Sequence, residues 1–164
     1  EKPSSLVISM DDLYAILGDT FDDLIVTEFL PGNEFTVDVY RDNKNTISIP
    51  RVRNVVRSGI TFNGELSKNL EIIKYSDILA NNLNLKNCFG FQFKIDENGV
   101  PKILESNPRV QGTMILSTLA NANIIYASVK NLLNEEIPNF DINWHTKFIR
   151  FWGGVGIGKN TTII

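Results

Sequence analysis

The chain has 164 residues and a formal net charge of −3, with 43% hydrophobic and 21% charged residues, which fits one folded globular domain. This composition lacks the basic surface expected of a nucleic-acid-binding protein, and no apolar run approaches the roughly 20 residues of a membrane-spanning helix. Cys88 is the single cysteine, so no internal disulfide can form. We therefore expect a cytoplasmic protein without nucleic-acid or membrane partners. The composition leaves the oligomeric state open.

A short helix and a strand are predicted at the start of the chain. Ser9 is a suitable N-cap for a helix over 10–17, and Gly18 ends it. The apolar run 24–29 predicts a strand, which leads into a Leu-Pro-Gly-Asn turn at 30–33.

A hairpin follows this turn. Strict alternation of apolar and polar residues predicts a strand over 34–40. The polar segment 42–45 then turns the chain into a partner strand over 46–56. Pro50 lies within that partner strand, which predicts a sheet edge or a β-bulge there.

The middle of the chain predicts one helix and a second hairpin. A helix is predicted over 66–85, with a buried stripe made by Ile72, Tyr75, Leu79 and Leu83. The second hairpin is predicted from strands at 89–95 and 100–107, joined by a turn at 96–99.

Two helical pieces and one strand are predicted near the end of the chain. Residues 113–134 predict two helical pieces with a break at 121–123, and 145–152 predict a last strand. Because hairpins are followed by helices, rather than strands alternating with helices, we expect an α+β fold with a mostly antiparallel sheet.

The second hairpin carries a polar constellation. A four-residue turn would place Ile95 opposite Val100, and Gln92 would then lie opposite Ile103 and diagonal to Glu105. In that register Gln92, Glu105 and Asn107 point to one face of the sheet. They offer one carboxylate and two amide oxygens, which are ligands that a hard cation such as Mg²⁺ selects. The alternative is a solvated polar face of an edge hairpin.

The same residues resemble a known family. Residues 105–113, Glu-Ser-Asn-Pro-Arg-Val-Gln-Gly-Thr, resemble the E-x-N-P-R signature of ATP-grasp enzymes. Gln92 stands where carbamoyl-phosphate-synthetase-like members carry a metal-binding glutamine. The resemblance implies that Gln92, Glu105 and Asn107 bind one or two Mg²⁺ ions, with Mn²⁺ as an alternative, that bridge the ATP phosphates. It also implies that Arg109 is catalytic and contacts the transferred phosphoryl group.

Further segments resemble the ATP-binding parts of that family. Residues 26–38 resemble its hinge, in which the backbone near Glu28, Phe29 and Leu30 holds adenine and Glu34 binds the ribose hydroxyls. Lys2, followed by Pro3, resembles the start of a strand that supplies an ATP-binding lysine. Residues 49–59 and 149–152 resemble stretches of short carbamoyl-phosphate-synthetase-like and pyrrolysine-ligase-like members, and Arg53 is the ATP-binding candidate in the first stretch.

Several of these residues have a second interpretation. Glu34 would face Arg53 across the first hairpin, and the two could form only a cross-strand ion pair. Arg51, Arg53 and Arg57 alternate onto one face, where they could bind phosphate or a substrate carboxylate or could be solvated.

Three other features are interpreted as structural or accidental. Cys88 and the lone His145 are interpreted as structural. Residues 153–160, Gly-Gly-Val-Gly-Ile-Gly-Lys-Asn, nearly spell a P-loop, but asparagine replaces the magnesium-binding hydroxyl, and with four residues after it we expect no helix to present amides to phosphate.

The resemblance implies a Mg-ATP-dependent carboxylate ligase. Small-molecule carboxylate and nucleophile substrates would react through an acyl phosphate. Residues 1–164 would form the C-terminal part of an ATP-grasp domain whose preceding domain is absent, so the piece would be inactive alone. The glycine-rich phosphate loop expected after Lys2 would then be either lost or skipped before Leu6. A non-catalytic nucleotide-binding or structural domain with the same fold is the alternative.

Overall fold

The computed structural model describes residues 5–18 and 24–151. Over these two stretches the elements follow the order α1 (Met10–Leu17), β1 (Glu34–Arg41), β2 (Thr46–Arg57), β3 (Ile60–Leu66), α2 (Leu70–Asn82), β4 (Asn87–Ile95), β5 (Pro101–Asn107), α3 (Ile115–Leu119), α4 (Ile124–Leu132) and β6 (Lys147–Ile149).

The six strands form one sheet in the order β5-β4-β1-β2-β3-β6. Every neighbouring pair in this sheet is antiparallel. The α+β fold class with an antiparallel sheet is therefore confirmed.

Helices cover both faces of the sheet. On one face α2 packs against a core that includes Val37, Phe91 and Phe93. On the other face α3 and α4 pack against a core that includes Tyr40 and Ile49. The second face also carries the even-numbered residues of β1, and the site described below lies on that face.

The two local signals in the first part of the chain are confirmed. The hydroxyl of Ser9 accepts a hydrogen bond from the Asp12 N–H at 3.0 Å, and Gly18 ends α1 with a φ of 63°. In the first hairpin, one carboxylate oxygen of Asp42 accepts hydrogen bonds from the N–H groups of Lys44 and Asn45 at 2.7 and 2.6 Å. These contacts close the turn between β1 and β2.

The strand predicted over 24–29 is wrong. These residues are irregular, and the side chains of Ile25 and Phe29 are 88% and 63% exposed. No strand in the described part of the chain pairs with this segment. Its apolar residues carry β propensity, but a strand forms only where a neighbour supplies the hydrogen bonds.

The predicted helix over 66–85 is too long at both ends. α2 covers Leu70–Asn82 and is capped by Asn69. It begins later than predicted because Leu66 belongs to β3, a strand that was not predicted. Its fully buried positions are Ile72, Ser76 and Ala80. Tyr75 and Leu79 flank that stripe, whereas Leu83 is 53% exposed.

Pro50 marks neither a sheet edge nor a bulge. β2 has neighbours on both sides, and its register shifts lie between Arg53 and Val56. The Pro50 carbonyl accepts a hydrogen bond from the Ser67 N–H at 2.9 Å. Because the nitrogen of a strand residue points to the same side as its carbonyl, the missing N–H of Pro50 lies beyond the end of β3 and costs no ladder bond.

The last elements agree with the prediction in part. The break between the two helical pieces is confirmed at residues 120–123, between α3 and α4. The last strand is much shorter than predicted, because only Lys147–Ile149 pairs with β3. Within 5–18 and 24–151, no helix is long and apolar enough to cross a bilayer.

Candidate functional site

The second hairpin differs in register from the prediction. Ile95 lies opposite Pro101 instead of Val100, and Gln92 lies opposite Glu105 instead of Ile103. A register shift between Gln92 and Phe93 leaves Leu104 as the extra residue of a β-bulge. The longer turn alone would have moved Glu105 to the other face, and the bulge moves it back.

Three polar side chains of this hairpin and Arg109, which follows it, form one chain of hydrogen bonds. The side-chain amides of Gln92 and Asn107 both donate to the same carboxylate oxygen of Glu105, and the Asn107 bond measures 2.6 Å. Arg109 Nη2 in turn donates to Asn107 Oδ1 at 3.2 Å. The three residues predicted as metal ligands therefore lie together on one face, with Arg109 beside them.

The hydrogen-bonded chain continues across the sheet through Arg53. One guanidinium nitrogen of Arg53 donates both to Gln92 Oε1, at 3.1 Å, and to the carboxylate of Glu34. The remaining donors of Arg53 bond Thr61 Oγ1 at 2.9 Å and the Gly59 carbonyl at 2.6 Å. The ion pair between Glu34 and Arg53 is thus present, and a ribose role for Glu34 stays a prediction.

Arg51 is buried rather than solvated. Its side chain is 2% exposed and forms a two-bond ion pair with the carboxylate of Asp38, which is fully buried. Arg57 is exposed, and its guanidinium lies 5.0 Å from the centre of the Phe62 ring. The predicted common face of the three arginines is therefore wrong for Arg57, because the bulges after Arg53 break the alternation.

A pocket of about 270 Å³ opens on this face of the sheet. Its lining includes four arginines, Arg51, Arg53, Arg109 and Arg150. Arg51 and Arg53 are each paired with a carboxylate. In the described part of the chain, no carboxylate lies within ion-pair distance of Arg109 or Arg150.

Arg150 is a pocket residue that sequence reasoning did not select. Among the residues that the structure describes, its Nε is buried without a hydrogen-bond partner, and its guanidinium lies 5.5 Å from the centre of the Phe148 ring. The residue follows β6, where its N–H donates to the Phe62 carbonyl at 2.7 Å. Its sequence signals were its place within the strand predicted over 145–152 and within the stretch 149–152 that resembles family members.

A metal at this site would depend on amide oxygens. No group of three or more His, Cys, Asp or Glu residues that could hold a metal occurs within 5–18 and 24–151. Glu105 is the one carboxylate in the predicted ligand set. Gln92 and Asn107 would have to supply the remaining protein oxygens, and such a set suits a hard cation rather than Zn²⁺.

The predicted adenine segment lies beside the second hairpin. The Gly32 N–H donates to the Ile95 carbonyl at 2.9 Å, and a Cβ at Gly32 would lie 2.6 Å from that of Ile95, so this approach requires glycine. Phe29 is exposed and Leu30 is buried. A carboxylate oxygen of Glu28 lies 3.9 Å from the Lys102 ammonium. Adenine binding by these residues stays a prediction.

The other residues singled out from the sequence do not line the pocket or lie outside the described residues. Burial raises the pKa of the Cys88 thiol, although a hydrogen bond with Ser128 opposes the shift. His145 Nδ1 lies 3.2 Å from a carboxylate oxygen of Glu65. Lys2, most of the Lys2-to-Leu6 stretch, Trp152 and the P-loop-like segment 153–160 lie outside the described residues.

A family model matches most of the chain. Residues 20–148 match the family described as ATP-grasp in the biosynthetic pathway with Ter operon. This range includes both hairpins and the Glu34-to-Arg109 hydrogen-bonded chain, but it leaves out Lys2 and Arg150.

Solved structures support the same fold. The chain resembles an N5-carboxyaminoimidazole ribonucleotide synthetase in complex with ADP, at 17% identity and a TM-score of 0.61, covering 70% of this chain and 33% of that one. It also resembles biotin carboxylase from Campylobacter jejuni, at 18% identity and a TM-score of 0.60, covering 73% and 29%. L-amino acid ligase from Bacillus licheniformis matches at 15% identity and a TM-score of 0.55, covering 66% and 31%.

The chain spans about a third of the length of each of these structures, and at this identity the likeness shows the fold. The family match covers residues 20–148, more than half of the sequence, and it shows the family. The chain belongs to the ATP-grasp family.

Proposed function

We propose that residues 1–164 are the magnesium- and nucleotide-binding part of an ATP-dependent carboxylate ligase. Within the family we propose a place among the short carbamoyl-phosphate-synthetase-like and pyrrolysine-ligase-like members. The arginine-bearing stretch 49–59 and Gln92 support that placement. The substrates would be a small carboxylate and an amine or similar nucleophile.

One observation carries the proposal, namely the continuous hydrogen-bonded chain of six polar side chains on one sheet face. It consists of Glu34, Arg53, Gln92, Glu105, Asn107 and Arg109. Four strands and the loop after β5 contribute to it. A solvated polar surface would not require such side chains to converge beside a pocket.

The donor set fits a magnesium ion. Gln92 and Asn107 direct their amide groups at the same oxygen of Glu105, so all three groups already reach one point. In this arrangement the amides present nitrogen to Glu105, and turning each amide group about its terminal bond would present oxygen instead. When bound there, Mg²⁺ would neutralise charge on the phosphate oxygens of ATP.

The proposed reaction has two steps. An oxygen of the substrate carboxylate attacks the γ-phosphorus of ATP, the bond to the β,γ-bridging oxygen breaks, and ADP leaves. A nucleophile then attacks the acyl carbon of the acyl phosphate, inorganic phosphate leaves, and the nucleophile loses a proton. In such a scheme the protein acts chiefly by positioning groups and by stabilising charge.

The chain's own residues would take distinct parts in the first step. Arg109 would donate hydrogen bonds to the oxygens of the transferred phosphoryl group. Arg150 would add a second positive charge on the same pocket for an anionic substrate group, since no described carboxylate neutralises it.

ATP itself would be bound by residues near the start of the chain and on the first hairpin. Glu28, Phe29 and Leu30 would hold adenine, and Glu34 would bind the ribose. Lys2 and Arg53 would bind phosphate. The inactivity of the isolated piece also stays a prediction.

The test is carboxylate-dependent formation of an acyl phosphate by the full-length protein. Pools of small carboxylates are incubated with ATP, Mg²⁺ and hydroxylamine, which converts acyl phosphates into hydroxamates that iron(III) makes visible. A ligase should release ADP and form hydroxamate only with those pools that contain its carboxylate substrate. Nucleotide binding without any carboxylate-dependent ADP release would favour the alternative of a non-catalytic nucleotide-binding domain.

A further inference from the structure

A buried ion pair beneath the pocket holds the segment that carries Arg109. We infer that Arg51 is a positioning residue that fixes Arg109 through Gln111 and Thr113. The inference rests on the proposed function, in which Arg109 contacts the phosphoryl group.

Arg51 connects the sheet to the segment after β5. Its Nε and Nη2 bond the two carboxylate oxygens of Asp38 at 3.0 and 2.9 Å. Its Nη2 also donates to Gln111 Oε1 at 3.2 Å, and its Nη1 donates to the hydroxyl of Thr113. One guanidinium therefore joins strand β1 to two positions of the loop between β5 and α3.

Asp38 holds this guanidinium from the other side. It lies on β1, is fully buried, and accepts a further hydrogen bond from the Ser117 hydroxyl of α3 at 2.6 Å. The negative charge of Asp38 offsets the positive charge of Arg51, and each partner is hydrogen-bonded, as a buried ion pair requires.

Arg51 itself is poorly placed to serve as a ligand for phosphate. An arginine side chain has five N–H donors, and the protein engages Arg51 in four hydrogen bonds. The side chain is only 2% exposed and its charge is compensated. These facts favour a role in holding the loop over direct binding of an anion.

The loop is seated closely on the sheet near Arg109. Gly90 of β4 lies directly beneath the side-chain amide of Gln111, and a Cβ at this position would overlap that amide. At the other end, the Arg109 N–H donates to the Asn107 carbonyl at 2.8 Å. Arg109 is therefore held between the end of β5 and the Gln111 anchor, and loss of the anchor frees one end of the segment.

The experiment measures how strongly the γ-phosphate is recognised. Dissociation constants for ADP and for the non-hydrolysable ATP analogue AMPPNP are determined by calorimetry on the full-length protein with Mg²⁺. Their ratio reports contacts with the γ-phosphate, whereas a general loss of structure weakens both nucleotides alike.

Arg51→Lys and Thr113→Val are the test variants, and Arg57→Lys is the matched control. Lysine keeps the charge but cannot bond Asp38 and both loop residues together. Valine has the shape of threonine and removes one loop contact while leaving the ion pair. Each test variant should lower the preference for AMPPNP over ADP about five- to tenfold. This is less than the loss of a whole hydrogen bond to a charged group, because Arg109 is loosened and not removed. Arg57→Lys, on the same strand but outside the pocket, should leave the ratio unchanged.

A second background separates positioning from direct contact. In an Arg109→Ala protein, Thr113→Val should change the ratio no further, because the residue it positions is gone. An equal effect in both backgrounds, or no effect of Thr113→Val in the wild type, would overturn the inference. If the Arg51→Lys protein does not fold, the affinity ratio of the Thr113→Val protein still tests the inference.

The failure of the proposed function has a different signature. If the wild-type protein binds neither nucleotide, the proposed function is wrong and the inference falls with it. If the wild type prefers AMPPNP and Arg109→Ala removes that preference, the proposed role of Arg109 stands. The inference alone is then tested by Thr113→Val.

Discussion

Replacing Glu105 by glutamine should remove metal-dependent nucleotide binding without disturbing the fold. Glu105 is the only carboxylate of the proposed ligand set, so the substitution takes the formal charge of that set from −1 to 0. The side chain is exposed, and both of its hydrogen bonds come from neighbouring amides of the same set. We therefore expect a change in the free energy of unfolding of less than about 0.5 kcal/mol.

The effect on binding should be much larger than the effect on stability. Losing the charged ligand should weaken AMPPNP binding in the presence of Mg²⁺ by at least about tenfold, or about 1.4 kcal/mol. Binding in EDTA should change little, because without the metal Glu105 only adds repulsion near the phosphates. The quantity to compare between wild type and Glu105→Gln is the ratio of AMPPNP affinity with Mg²⁺ to AMPPNP affinity in EDTA.

Calorimetry on the full-length protein provides the assay, and Glu97→Gln provides the matched control. Glu97 lies exposed in the turn of the same hairpin, outside the hydrogen-bonded group of Gln92, Glu105 and Asn107. It should therefore behave as wild type. Full magnesium-dependent affinity in Glu105→Gln would refute the assignment of Glu105 as a metal ligand.

Three further changes test other parts of the structure. Glu34→Gln should weaken nucleotide binding by about 1–3 kcal/mol if Glu34 binds the ribose, whereas unchanged affinity would leave it only its ion pair with Arg53. Gly90→Ala should lower the free energy of unfolding by about 1–3 kcal/mol, because its Cβ would displace the Gln111 amide, and equal stability in chemical denaturation would contradict the packing described. Asp42→Asn should destabilise the protein by about 1 kcal/mol at neutral pH. Burial raises the pKa of Asp42, but hydrogen bonds to its carboxylate lower it by more. The stabilisation is therefore present above the unfolded-state pKa, and the difference from wild type should vanish as the pH falls through the lowered folded-state pKa.

The parts of the fold that sequence predicts well are those fixed by nearby residues. The Ser9 cap and the Asp42 turn each depend on contacts within three residues, so the local sequence contains all the necessary information. The strand predicted at 24–29 fails for the opposite reason. Strand pairing depends on a distant neighbour, and the local pattern cannot say whether one is available.

The three residues predicted as metal ligands do share one face of the sheet, but for a reason that the sequence does not contain. The turn of the second hairpin is longer by one residue than predicted, and a one-residue shift exchanges the two faces of a strand. The bulge at Leu104 adds a second shift and restores Glu105 to the face of Gln92. Neither shift has a clear sequence signal, so the agreement depends on their combination.

The buried partner of Arg51 was also beyond sequence reasoning. Arg51 lies opposite Thr36, and its partner Asp38 is two residues further along β1. Each residue alone is typical of a solvated strand face. Only the packing of α3 and the preceding loop on that face makes both of them buried.

The distribution of charge around the pocket supports a ligand that carries both a cation and anionic groups. Asp38 and Glu34 compensate Arg51 and Arg53, while Glu105 contacts amides and no arginine. In the described part of the chain, Arg109 and Arg150 therefore keep their positive charge on the same pocket. If the pocket merely balanced its own charges, Glu105 would be expected to pair with one of these two arginines. The absence of such a pair in the described part of the chain agrees with the proposal that Glu105 binds a metal ion and that the two arginines meet anionic groups of the nucleotide or substrate.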